Sequence, residues 1–297
     1  MDKWNILLSI IVTGGLWLKF LYKYDKIEPE PIWKVLKIGL LGGLCSALIA
    51  GIINTISGKI FGFKTGHANS FFSTLFFSLA VGLNEETMKA FFTKFFTKNE
   101  TELDEPIDAV IYSTSVALGF AVLENLEYTF SNGLFNLGLR TFTAMPLHIG
   151  LAVIWGISIA RVRFFPKANY FSEMAHTVLW ASLIHGVYDF IIFYFQNFWV
   201  VLFSSLVIAF LLIRYLDKNL KFLQNQTPYL PAGTCSNCGH KNSPTDTECK
   251  NCHSNLEQKY FSICNTCAIK LPSESTECSS CGRPVNPKYL YQDKNHV

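Results

Sequence analysis

Two adjacent carboxylates, Glu85 and Glu86, and an amine, Lys89, stand inside the run FFSTLFFSLAVGLNEETMKAFFTKFF, Phe71 to Phe96. The first half of that run is apolar enough to lie in a bilayer. An ionisable side chain near the bilayer centre costs about 2.5–3.5 kcal/mol or more, so such groups are rare and usually functional. On a helix Lys89 lies within one turn of both carboxylates. Glu85 and Glu86 diverge by about 100°, which lets one face a cavity while the other pairs with Lys89 or another helix. Two close carboxylates in a low dielectric resist double ionisation, and that suits one of them to general acid–base work. The competing structural role is a buried ion pair that ties helices together.

Other apolar segments hold matching groups. Gly119 to Tyr128 reads GFAVLENLEY, with Glu124 and Tyr128 on one helix face and Asn125 beside it. His148 follows Pro146-Leu147, and His185 stands one turn before Asp189 in LIHGVYD. Asp189 is placed to orient the His185 imidazole and stabilise its cation. For Asn125 and Tyr128 the plain alternative is interhelical hydrogen bonding, worth about 0.6–2 kcal/mol. Glu127 reads as interfacial and His176 as structural.

Two chemistries fit these residue types. A carboxylate beside a histidine activates water, and a histidine or asparagine steadies the oxyanion formed when water attacks an amide. This glutamate-activated water is the leading expectation. The alternative is a metal held by His148, His185 and a glutamate, a set suited to catalytic zinc. No HExxH or Gly-x-Ser-x-Gly occurs, and Cys45 has no histidine near it in sequence. From a different class, a transporter or non-catalytic receptor would use the same groups to bind a ligand or relay protons, although no inverted repeat is evident.

Helices must position these groups. The chain has 297 residues, 50% hydrophobic and 16% charged, with 26 phenylalanines, against roughly 25% charged in soluble domains. Crossing the hydrocarbon core takes about 20 mainly apolar residues. The expected spans are 4–22, 32–57, 70–96, 107–130, 141–162, 172–195 and 198–216. The first lacks a small-residue cleavage site and is read as a span. Alternate connections carry thirteen lysines and arginines on one side against four on the other. The positive-inside rule then puts the N-terminus outside and the tail in the cytosol of a multi-pass cell-membrane protein. In that orientation Glu85 falls near mid-bilayer, and Glu124, His148 and His185 between the midplane and the outer face.

Asn84-Glu85-Glu86-Thr87-Met88-Lys89 resembles the EExxK motif of the PrsW family of intramembrane proteases. Phe120-Ala121-x-x-Glu124-Asn125-x-x-Tyr128 is similar to its second motif, and His148 and the His185 region to its histidine motifs. Asp25-Lys26-Ile27-Glu28-Pro29-Glu30-Pro31 is similar to its acidic-proline linker. The resemblance covers about residues 15–195 in the right order. It implies a helical membrane cavity of the CAAX-prenyl-endopeptidase kind. It also implies catalytic Glu85, Glu86, Glu124, His148 and His185, supported by Lys89, Asn125, Tyr128 and Asp189, and a membrane-anchored protein substrate. It leaves the question of a catalytic metal open.

The polar remainder holds eight of the nine cysteines. Cys235-x-x-Cys238 and Cys249-x-x-Cys252 are separated by ten residues, and Cys264-x-x-Cys267 and Cys278-x-x-Cys281 repeat that spacing 29 residues later. Paired thiolate knuckles suit two structural Zn²⁺ ions, each held by four cysteines. A reducing compartment argues against disulfides. Residues 231–297 carry seven basic and six acidic side chains. Two four-thiolate zinc centres make the tail net negative, which favours a protein partner over nucleic acid. The expected layout is an all-α polytopic domain over 1–216, a connector over 217–234, zinc ribbons at 235–252 and 264–281, and a tail over 282–297.

Overall fold

A computed structural model describes residues 3–25, 29–64, 67–100, 102–164, 169–195, 197–227, 233–235, 237–243, 246–256, 262–263, 270–271 and 277–283. The protein is an all-helical polytopic membrane protein with a small cysteine-rich tail. Its helices are α1 (Lys3–Tyr22), α2 (Ile32–Phe61), α3 (Phe71–Thr97), α4 (Pro106–Phe142), α5 (Ala144–Phe164), α6 (Tyr170–Tyr194) and α7 (Phe198–Gln224). In the tail, β1 (Ser262–Ile263) pairs antiparallel with β2 (Lys270–Leu271), Ser262 opposite Leu271. Five stretches are long and apolar enough to cross a membrane, and one of them, Pro106–Phe164, spans both α4 and α5. The third helix is not among them, because Asn84, Glu85 and Glu86 interrupt its apolar run.

Local signals explain the helix ends. Ser70 caps α3 by accepting from the Ser73 amide, and Asn169 and Asn197 cap α6 and α7 in the same way, satisfying amides that the first helical turn leaves without partners. Glu105 and Asp108 form a reciprocal capping box on α4. Around it, Asp25 accepts from the Glu30 amide and Glu30 accepts from the Tyr112 hydroxyl. The acidic-proline connection thus fastens the α1–α2 turn to the start of α4.

One expectation about the spans needs correcting. Residues 131–140, read as a loop between the fourth and fifth spans, are helical and belong to α4. That helix is broken at Gly133, whose φ of 81° and ψ of 177° lie outside the helical region and favour glycine. In a straight helix Arg140 would stand roughly 24 Å from Glu124, yet the two side chains are hydrogen-bonded. The chain therefore doubles back at Asn132-Gly133, and Leu137 packs near Leu126 with Ile6 and Ile10 of α1. At the other end of the domain, α7 continues to Gln224.

The middle of the bundle is α5, which is buried along nearly all its length and packs against α3, α4, α6 and α7. A helix apolar all round belongs in such a position. Two close backbone approaches set the spacing of the surrounding helices. A Cβ added to Gly119 of α4 would lie 2.1 Å from the Gly39 carbonyl oxygen of α2, and one on Gly82 of α3 would lie 2.4 Å from the Ser182 carbonyl oxygen of α6. The second contact brings the carboxylates of α3 beside His185. Gly119→Ala and Gly82→Ala are each expected to destabilise the protein by about 1–3 kcal/mol through overpacking. Gly51→Ala, with nothing within 4 Å of the added carbon, should be neutral or stabilising by up to ~1 kcal/mol. Thermal unfolding in detergent measures the difference.

Candidate active site and tail metal centre

Lys89 is fully buried, and each of its three ammonium protons has an acceptor. These are Glu86 Oε1 at 2.8 Å, His148 Nδ1 at 2.9 Å and Glu85 Oε2 at 3.4 Å. The ammonium also lies 4.1 Å from the Phe120 ring centroid, a favourable cation–π distance. An ammonium only donates, so His148 Nδ1 accepts. The proton of the neutral ring is then on Nε2, which donates to Glu124 Oε2 at 2.8 Å.

Glu86 is enclosed. Trp155 Nε1 donates to its Oε2 at 3.0 Å, and His185 Nδ1 meets its Oε1 at 2.8 Å. The carboxylate accepts, so His185 Nδ1 donates, and in the neutral ring Nε2 then carries the lone pair. That Nε2 faces Glu85 Oε2 and Asp189 Oδ2, each at 3.7 Å. The structure corrects two expectations here. Glu85 and Glu86 do not divide so that only one meets the lysine: both reach the fully buried Lys89. Nor does Asp189 orient His185, since 3.7 Å exceeds hydrogen-bonding distance. Glu86 holds that ring.

On α4, Glu124 Oε2 is shared by His148 and Arg140, whose Nη2 donates at 2.9 Å. Arg140 Nε donates to Asn125 Oδ1 at 2.6 Å, and the guanidinium lies 4.1 Å from the Tyr128 ring centroid. Asn125 and Tyr128 thus support Arg140 from one side while Glu124 faces the histidines. The five expected catalytic residues and Lys89 form one connected cluster. Asp189 lies at its edge, and among the described residues Tyr128 reaches it through Arg140.

Four participants were not anticipated. Trp155 had no polar neighbour in sequence to mark it. Asn54 and Asn84 are linked, with Asn84 Nδ2 donating to Asn54 Oδ1 at 2.7 Å and Asn54 Nδ2 to Glu85 Oε1 at 3.1 Å. A polar amide inside the apolar second span was a readable sign for Asn54. Arg140 was counted as a connecting-loop charge. The Asn132-Gly133 pair was the signal that its chain turns back.

Glu85, His148 and His185 each offer a ligand atom, and these atoms lie within 4.8 Å of one another; a metal there would take the place of the Lys89 proton at the His148 Nδ1 lone pair. Two histidines and a carboxylate are a catalytic zinc set that leaves a fourth position open. Asp25, Glu105 and Asp108 form a second buried acidic group, but Asp108 is occupied in capping α4.

In the tail, Cys235, Cys238, Cys249 and Cys252 also converge within 4.8 Å. Cys235 and Cys252 sulfurs are 3.5 Å apart, Cys238 and Cys249 sulfurs 3.6 Å. These separations far exceed a disulfide bond and approach the ~3.8 Å edge of a tetrahedral four-thiolate zinc shell. Ser254, through its hydroxyl and amide, draws the Cys252 thiol down to about 6. Two tight turns build the site: the Gly239 amide donates to Cys235 and the His253 amide to Cys249, with φ of 72° and 59°. Cys278 repeats the first turn, accepting from the Gly282 amide at 2.9 Å. Its expected partners Cys264 and Cys267 lie outside the described residues, so one four-cysteine cluster is seen.

The family model for the PrsW family intramembrane metalloprotease matches residues 30–215. A curated relative from Oceanobacillus iheyensis, named Protease PrsW, is 30% identical over 71% of this chain and 94% of its own. Others of that name are from Geobacillus kaustophilus, 32% identical over 61% of this chain and 77% of theirs, and Bacillus subtilis, 29% over 64% and 83%. No solved structure matches. The matched segment contains the whole α2–α6 cluster and stops before the cysteines of the tail. The chain is a protease, and it belongs to the PrsW family of intramembrane proteases.

Proposed function

We propose that the chain is a metal-dependent intramembrane endopeptidase that cleaves membrane-anchored proteins, with Glu85, His148 and His185 as ligands of a catalytic zinc. The carrying observation is the convergence of those three donors within 4.8 Å. It favours the metal over the glutamate-only chemistry that the sequence put first. A zinc held there would polarise the scissile carbonyl and acidify a bound water. Glu86 keeps His185 Nε2 turned inward, as carboxylates do for metal-ligating histidines. Glu124 is suited to the proton transfer. Its Oε2 is engaged by Arg140 and His148, and among the described residues no hydrogen bond is made to its Oε1. In this role Glu124 takes a proton from water and delivers it to the departing amine. Lys89 supplies a fixed positive charge near the developing oxyanion.

One observation favours a second reading. The Lys89 ammonium already satisfies Glu85, Glu86 and His148, so Glu85 could activate water with no metal present. Purified protein in liposomes, given a membrane-anchored substrate, separates the two. Under the metal reading a chelator abolishes cleavage and zinc restores it, and His185→Ala loses cleavage and the membrane-domain metal together. Chelator-resistant cleavage would sink that reading. Glu124→Gln should retain the metal while turnover falls by about 10²–10⁴-fold.

The basic asymmetry, thirteen to three once Arg140 is placed in the cluster, supports the N-terminus outside and the tail cytosolic for the seven proposed crossings. An impermeant thiol reagent applied to intact cells should reach a cysteine introduced at Gly66 and miss the tail. The reverse labelling would invert the topology.

The tail reading comprises the connector at 217–234, ribbons at 235–252 and 264–281, and residues 282–297, with two structural zinc ions and a protein partner. The Cys278 turn, which matches that of Cys235, supports the second ribbon. Two complete four-thiolate shells have no open position for catalysis. A chain ending near Gln226 should therefore still cleave substrate in liposomes while losing two zinc ions by metal analysis. Loss of only one would leave a single ribbon.

A further inference from the structure

Asn54 stands in the last third of α2, with Ile52, Ile53 and Ile56 close to it in sequence and Thr55 beside it. Its amide orientation is fixed from both ends. Glu85 Oε1 can only accept, so Asn54 must present Nδ2 to it, at 3.1 Å, while Oδ1 accepts from Asn84 Nδ2 at 2.7 Å. Asn84 is anchored in turn, because its amide also donates to the Ala50 carbonyl at 3.0 Å. The relay runs from the α2 backbone through α3 and back to α2, and ends on one oxygen of one carboxylate.

Interhelical hydrogen bonds in membranes contribute only about 0.6–2 kcal/mol each, so helix association is a weak reason for two amides here. Their geometric effect is larger. With Oε1 committed to Asn54, Glu85 has only Oε2 directed to the cluster, 3.4 Å from Lys89 Nζ and 3.7 Å from His185 Nε2. We infer that Asn54 is a positioning residue which, backed by Asn84, holds Glu85 as a one-oxygen ligand and so reserves the remaining metal position for water. This rests on the metal reading above. A carboxylate free to bind through both oxygens would occupy the position that a catalytic zinc site keeps open. Groups that orient metal ligands in this way typically change metal affinity by about 10–100-fold when removed.

The test uses the full-length protein in detergent. Zinc affinity of the membrane domain is measured by chelator competition, and cobalt substitution reports coordination number. Cobalt in the tail is common to all variants and cancels in difference spectra. Asn54→Ala is expected to weaken zinc binding about 10–100-fold and to shift cobalt absorption towards the weaker bands of higher coordination. Asn84→Ala should move both readouts in the same direction by less. Thr55→Ala, an exposed neighbour bonded only to its own helix, should leave both unchanged. An Asn54→Ala protein with unaltered affinity and spectrum overturns the proposal, as does an affinity loss matched by Thr55→Ala. If the unsubstituted protein holds no zinc outside its tail, the metal reading falls and this proposal with it. Zinc bound equally by the unsubstituted and Asn54→Ala proteins defeats this proposal alone.

Discussion

A positive charge with no access to water governs the arrangement of this protein. Stripping an ion pair's members of solvent carries a penalty of several kcal/mol per ion, recovered only with good geometry and saturated hydrogen bonding. Lys89 meets that condition by drawing acceptors from its own helix and from α5. Each acceptor then needs partners. Glu86 takes Trp155 and His185, Glu85 takes Asn54, and His148 takes Glu124, which takes Arg140. Five helices are recruited in this way, α2 through α6. The cluster is an electrostatic network that stays closed only while these helices hold their spacing. The glycine contacts between α2 and α4 and between α3 and α6 set that spacing.

Much of this was legible in the sequence because the bilayer makes polar residues conspicuous. Glu85, Glu86, Lys89, Glu124, His148 and His185 each interrupt an apolar run, and one site now contains them all. What escaped reading was pairing across space. Helical periodicity gives the direction of Glu85 relative to Glu86 but says nothing of which neighbouring helix offers Asn54 or Trp155. The assignment of Asp189 as the histidine's orienter relied on one-turn spacing, and a residue 99 positions away in sequence took that place. Arg140 was misplaced for a different reason. A window that averages hydropathy treats 131–140 as a gap, whereas the φ of Gly133 turns it into a returning helix.

The cysteine tail follows another logic. Its spacing was readable without structure, since two knuckles per zinc depend on short-range geometry alone. The turns at Gly239 and His253 show how the chain delivers it: each points amides back toward a cysteine's surroundings through a left-handed residue. The membrane domain is ordered by burial and the tail by ligand convergence, and the family match ends where the first principle gives way to the second.

The seclusion of α5 has a consequence for whatever is cut. His148 is carried by the helix most thoroughly shielded from lipid, so a substrate lodged in the surrounding hydrocarbon cannot meet it by sliding along the outer surface. Nor can the substrate present a peptide bond while that bond remains in a helix, where each carbonyl is already engaged within its own segment. For the membrane-anchored substrate proposed above, an unwound stretch would have to thread between helices, and its released backbone groups would need new partners as it did so. Under that proposal, selection falls first on how readily a guest sequence unravels, and only afterwards on which side chains flank the break.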